Sequence, residues 1–182
     1  MKEFKDEIHK LFEMTDIREM SYFLGMEIHQ DYKGIFICQR KHANEVLVKF
    51  GMKNNKLVST PLVQNEKLII EDGTDKIDGS VYKSLIGCLL YLTATRPNVM
   101  FAASLLSRFM QKPSELHFKA AKRVLRYVKG SLDHGIWHGR VENLKFVGFT
   151  NSDWVGSQDD MKSTSPYVFI IGSSVFNWNS KK

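Results

Sequence analysis

Residues 84–92 read Ser-Leu-Ile-Gly-Cys-Leu-Leu-Tyr-Leu. A helix that is apolar almost all round has no face to offer water, so it must lie inside other structure. The segment predicts a helix running from a cap at Ser80 to about Thr95, at the centre of a helical core. Its partners follow directly. Pro97 suits the first position of a second helix, whose inner face would be Val99, Ala102, Ala103, Leu106 and Met110. Ser114, after Pro113, reads as the N-cap of a third helix, with Glu115 at the positive end of its dipole and Gly130 as its stop. Leu116, Ala120, Ala121, Val124, Leu125 and Val128 recur at helical spacing and can face the same core.

Both flanks of this helical block differ from it. Residues 3–13 predict a helix with Phe4, Ile8, Leu11 and Phe12 on one face. Tyr22 to Gln30 is rich in strand formers, 31–34 is a turn, and Ile35 to Cys38 is a second strand, which predicts a β-hairpin. A helix from about Lys41 to Phe50 is closed by Gly51. Residues 53–79 are polar, contain Pro61 and Gly73, and read as a linker. After Gly130 the pattern turns to strands at about 135–138, 144–150, 166–171 and 174–178. Pro166 removes a ladder donor, so its strand should start after it or lie at an edge. The order predicts an α+β chain built from parts of two domains joined near residue 131.

Charge is unevenly placed. The net charge is +6, yet residues 96–130 alone carry +7, with Glu115 the one acid in that block. On the third helix Lys119, Lys122, Arg123, Arg126 and Lys129 fall three and four apart and form a stripe. Such a stripe can run along a phosphate backbone. It is equally the pattern of a solvated helix face. Two cysteines, Cys38 and Cys88, exclude a disulfide scaffold and a cysteine-rich zinc site. The mixed-charge N-terminus lacks the apolar stretch of a secretory signal, and no run reaches the ~18 apolar residues of a membrane span. The expectation is an intracellular chain without a membrane partner. His134 and His138 are four apart but sit in strand-like sequence, and His9, His29, His42 and His117 are scattered, so no metal site is expected.

Four stretches carry a resemblance. They are MTDIREMSYFLGMEI, YKSLIGCLLYLTATRPNVMFAASLLSRFM, HFKAAKRVLRYVKGS, and the C-terminal run from SDWVGSQDDMKSTSPYVFII onward. Together they resemble the Pol polyprotein of copia-type LTR retrotransposons, most closely those of plants. The resemblance implies the end of a reverse transcriptase palm with a primer-grip-like hairpin and helix at 1–52, a polar linker at 53–79, thumb-like helices at 80–131, and the opening strands of an incomplete RNase H-like fold at 132–182. It implies that Leu24, Gly25 and Met26 occupy the turn side of the primer grip. Gly25 would allow close backbone approach, although a strand glycine beside a tightly packed neighbour reads the same way.

The resemblance also places the first metal-binding Asp of the nuclease at a position that is Asn151 here. An amide oxygen is a weaker ligand for Mg²⁺ than a carboxylate. Asp153 lies on the same face of the strand, displaced by about 6.6 Å, too far for simple substitution. The polymerase Tyr-Val-Asp-Asp hairpin of the family is absent from the chain. The expectation is a fragment of a reverse transcriptase and RNase H polyprotein that is inactive by itself. It would need no cofactor, whereas the intact relatives use Mg²⁺, and it would keep some capacity to bind an RNA–DNA hybrid or duplex beside other parts of the polyprotein. The alternatives are a stand-alone nucleic-acid-binding module acting through helix 115–129, or the template–primer gripping segment of an intact polyprotein. A stranded C-terminal remnant should expose apolar side chains among Val168, Phe169, Ile170, Val175, Phe176 and Trp178.

Overall fold

The computed structural model describes residues 2–13, 19–64, 66–153, 157 and 159–182. Residues 14–18 of the first resembling stretch, and Trp154, Val155, Gly156 and Gln158 of the last, lie outside them. The order is α1 (Lys2–Leu11), β1 (Tyr22–Phe23), β2 (Met26–Gln30), β3 (Gly34–Cys38), α2 (Arg40–Lys49), α3 (Gly79–Leu92), α4 (Pro97–Ser107), α5 (Glu115–Lys129), β4 (Gly135–Gly139), β5 (Phe146–Thr150), β6 (Ser165–Ile171) and β7 (Ser174–Lys181). Two antiparallel sheets, β1-β2-β3-β4 and β5-β6-β7, accompany the helices, so the chain is mixed α and β.

The apolar helix packs on the core through one face, while Val81, Leu90 and Tyr91 on its outer side remain exposed, so it is not enclosed as its composition suggests. Tyr82, Leu85, Ile86, Leu89 and Leu92 of α3 are completely buried. They meet Val99, Ala102, Ala103 and Leu106 of α4 and Ala120, Ala121, Val124, Leu125 and Val128 of α5. Ala43, Val46 and Leu47 of α2 close the cluster. Each such leucine contributes roughly 2–3 kcal/mol by leaving water. Pro97 does occupy the first turn of α4, and Ser114 caps α5. Gly51, at φ +66°, ends α2 in the left-handed region that favours glycine.

Several local expectations change. The cap of α3 is Asp78, whose carboxylate accepts from the Ser80 N–H (2.8 Å) and hydroxyl (2.9 Å); Ser80 is the donor and not the cap. Gly130 is the C-cap of α5 at φ −73°, a conformation that does not need glycine. Tyr22 to Gln30 is not one strand. Leu24 (φ +47°) and Gly25 (φ +73°) fold it back on itself between β1 and β2. Phe4 and Leu11 of α1, and Phe12 just after it, are exposed, so most of the apolar stripe has no cover among the described residues.

The largest rearrangements are long-range. β4 pairs with β3 and joins the N-terminal hairpin, not the strands that follow it. β6 is the central strand of its sheet although it contains Pro166, which sits second from its start opposite Ser180. Residues 53–79 lie against the helical core, with Leu62, Leu68 and Ile77 packed on it. One face of the β5-β6-β7 sheet turns to α4, and Trp178 donates its indole N–H to the Thr93 carbonyl (3.0 Å). The other face carries an open aromatic cluster of Phe146, Tyr167, Phe169 and Phe176, in which Phe146 and Phe176 are exposed.

Candidate nucleic-acid interface

The basic block does not form one surface. Arg96 is 1% exposed and belongs to the interior. Its guanidinium donates to the carbonyls of Ser131 (2.5 Å) and Leu132 (3.0 Å), just past the C-terminus of α5. There it meets the negative end of the helix dipole. Burial pulls its pKa down. Arg108 donates to the Thr164 hydroxyl (2.8 Å).

The five cations of α5 divide into two sets. Arg123 donates to the Thr60 hydroxyl (3.0 Å), and Lys129 donates to the Asn55 carbonyl (2.8 Å). Both fasten the 53–79 segment to the helix. Lys119, Lys122 and Arg126 instead line a groove of about 740 Å³ together with Phe118, Asn55 and Glu115. The Lys122 ammonium lies 4.3 Å from the centre of the Phe118 ring, one turn away. That contact is worth about 0.5–1 kcal/mol at an exposed site and points the side chain along the groove.

The far end of α5 is held by a buried polar knot that the sequence pattern does not foretell. Ser114 Oγ donates to Asp72 (2.5 Å) and accepts from the His117 N–H, while the Ser114 N–H donates to His117 Nδ1 (3.1 Å). His117 Nε2 lies 3.1 Å from the Ile69 carbonyl, which fixes the neutral ring with its proton on Nε2. Asp72 also accepts from the Thr74 N–H (2.9 Å) and hydroxyl (2.8 Å). Burial pushes the Asp72 carboxyl up, but these hydrogen bonds outweigh it and hold it at about 2. Burial lowers the His117 pKa against the opposing pull of Asp72. Segment 53–79 is thus pinned to α5 at both ends and forms one wall of the groove.

Leu24, Gly25 and Met26 form the tip between β1 and β2, remote in sequence from α5 but seated on α3. The Tyr91 hydroxyl donates to the Leu24 carbonyl and occupies the space beside Gly25. The close approach at Gly25 is therefore made by a tightly packed neighbour. Asn151 and Asp153 follow the end of β5. The Asn151 side-chain oxygen accepts from the Ser152 N–H (2.8 Å). Asp153 accepts from the Thr164 N–H, across the turn, and its charge faces Arg108. Asp160 is held at about 2, chiefly by Lys182.

Residues 1–64 match the reverse transcriptase (RNA-dependent DNA polymerase) family. The Retrovirus-related Pol polyprotein from transposon RE1 of Arabidopsis thaliana is 36% identical over 97% of this chain. The corresponding polyprotein from transposon TNT 1-94 of Nicotiana tabacum is 32% identical over 97% of it. An uncharacterized mitochondrial protein of Arabidopsis thaliana is 35% identical over 97% of the chain, which covers 73% of that relative. The chain belongs to the copia-type retrotransposon Pol family. It spans 12% of the length of the RE1 polyprotein and 14% of the TNT 1-94 polyprotein. No solved structure matches this copia-type chain. No described helix is long and apolar enough to cross a membrane.

Proposed function

We propose that this chain is the template–primer gripping segment of a copia-type reverse transcriptase and RNase H polyprotein, without catalytic activity of its own. The observation that carries the reading is the groove lined by Lys119, Lys122 and Arg126, which bond to no carbonyl or carboxylate among the described residues. Helices α3 to α5 take the thumb-like part, β5 to β7 the opening strands of the RNase H-like part, and Leu24, Gly25 and Met26 the primer-grip-like turn. Nucleic-acid binding here is a backbone interaction. Cations on a fixed helix displace counterions from successive phosphates, which gives affinity without sequence choice.

The absence of catalysis rests on the donor set. Mg²⁺ asks for charged oxygens in near-octahedral array. Asn151 offers a neutral amide oxygen already bound to its neighbour, and the Asp153 carboxylate is engaged by Thr164 and faces Arg108. These residues do not fit the ion that the intact family uses. A stand-alone binding module acting through helix 115–129 would use the same groove.

The test is binding of the purified chain to an RNA–DNA hybrid in low salt. Wild type should bind, and Lys119→Ala/Lys122→Ala/Arg126→Ala should lose most of the affinity. No measurable affinity even in low salt would overturn the gripping role. Mg²⁺-dependent cleavage of the hybrid that disappears in Asp153→Asn would overturn the lack of catalysis.

A further inference from the structure

The N-terminal hairpin gathers three different metal-ligating groups, a carboxylate, an imidazole and a thiol. Glu27 and His29 are two apart on β2, so their side chains share a face. Cys38 lies directly opposite Glu27 on β3, so its side chain points to that face as well. One ligating atom each from Glu27, His29 and Cys38 lies within 4.8 Å of the others. On the third strand the residue paired with Cys38 is Gly135, which adds no side chain to the cluster.

We infer that Glu27, His29 and Cys38 form a binding site for a zinc-like divalent cation. The bond lengths of zinc to nitrogen, sulfur and oxygen, about 2.0–2.3 Å, put tetrahedral ligands roughly 3.3–3.8 Å apart. Closing from 4.8 Å to that spacing is a movement of the ligating atoms on the order of an ångström. The donor set is selective. A thiolate and an imidazole reject Mg²⁺ and Ca²⁺ and suit Zn²⁺.

The surroundings prepare each ligand for this use. Glu27 Oε1 accepts from the Lys41 N–H (2.7 Å) at the start of α2, which fixes the carboxylate and leaves Oε2 for a metal. Gln39, the N-cap of α2, makes no capping hydrogen bond with its side chain, so Glu27 supplies that function from the sheet. Among the described residues no hydrogen bond reaches the His29 ring, which stacks on Phe36 at 6.2 Å and is exposed. Cys38 is a fully buried free thiol. The Arg96 guanidinium is within electrostatic reach of its sulfur, a positive neighbour for a thiolate. The exposed His29 side gives an entry path and leaves a fourth position for water. The two strands that carry the ligands, β2 and β3, would be clamped together by the ion.

The test uses the full chain, with Zn²⁺ and Co²⁺ as the probes. Competition against a chromophoric chelator should give one equivalent of bound zinc, and Co²⁺ should show a thiolate charge-transfer band. His29→Ala should weaken zinc binding by about 100-fold or more. Cys38→Ser should remove the cobalt band. Because Cys38 is buried and its replacement can unfold the hairpin, the exposed His29 decides the matter. His134→Ala/His138→Ala should change nothing. Zinc affinity that is unchanged in His29→Ala, a cobalt spectrum lacking the thiolate band, or binding abolished by His134→Ala/His138→Ala would each overturn the site.

Discussion

The salt dependence of duplex binding separates the three-dimensional arrangement of α5 from its sequence pattern. Five cations stand on that helix, but Arg123 and Lys129 are bonded to Thr60 and Asn55. Three remain for phosphates in the groove. Each phosphate neutralised adds about −0.9 to the slope of log K against log salt on duplex DNA. Three cations predict a slope of about −2.7, and five would give about −4.5. Between 50 and 200 mM salt those slopes mean losses of about 40-fold and about 500-fold in affinity. The measurement is fluorescence anisotropy of a labelled duplex titrated with the purified chain at four or five salt concentrations. Lys119→Ala, Lys122→Ala and Arg126→Ala should each flatten the slope by about 0.9. Arg123→Ala and Lys129→Ala should lower stability and leave the slope alone. A wild-type slope near −4.5, or a flattening of about 0.9 by Arg123→Ala and by Lys129→Ala, would refute the division of the stripe.

Other outcomes follow from the interior. Arg96→Met leaves two carbonyls at the end of α5 without their donor, at about 1–3 kcal/mol each, partly offset by relief of a buried charge. The net loss should be about 2 kcal/mol, read as a fall in the urea midpoint with no change of the salt slope; an unchanged midpoint refutes it. His117 has a folded-state pKa below its unfolded value, so its contribution is complete above about pH 6.5 and is lost as the unfolded chain takes up the proton below that pH. Asp72, held at about 2, adds a second loss as pH falls below about 3.8 toward that value. Urea midpoints measured from pH 7.5 to 5 should decline in wild type and decline less in His117→Gln, where the burial-lowered His42 still contributes; parallel declines would remove His117 as a cause. Gly25→Ala should cost about 1 kcal/mol from its positive φ, and more from collision with the Tyr91 hydroxyl. Tyr91→Phe should recover part of that second loss, as a double-mutant cycle would show; strict additivity would argue against the contact.

Much of the local structure is written in the chain. The apolar run 84–92 does supply a core face, with Leu85, Ile86, Leu89 and Leu92 buried, but Leu90 and Tyr91 stay exposed, so the helix is covered on one side and not enclosed. Pro97 and Ser114 act within a turn of their own position, so their roles were readable from neighbours alone. Strands near 35–38, 135–138, 144–150, 166–171 and 174–178 were readable from composition for the same reason, whereas the fold-back within 22–30 was not. What composition could not supply was which distant backbone each element meets. Arg96 and Lys119 are both basic residues in one run, yet one reaches buried carbonyls and the other water, and that difference depends on where α5 ends against α4. β4 joins β3 because antiparallel pairing rewards whichever strand edge the helices bring alongside. Pro166 could sit in a central strand because it lies near the end of the ladder, opposite Ser180.

The sequence by itself determined the helical core, the roles of Pro97 and Ser114 at their helix starts and the kinship with copia-type Pol proteins, since all three reside in short-range patterns. Tertiary structure alone decided which cations are free, why Asp153 is engaged, and that Glu27, His29 and Cys38 converge. The physical reason is common to all of them. A charge or a ligand acquires its role from groups within a few ångströms, and those groups are brought there by strand pairing and helix packing between segments that the local pattern treats as independent.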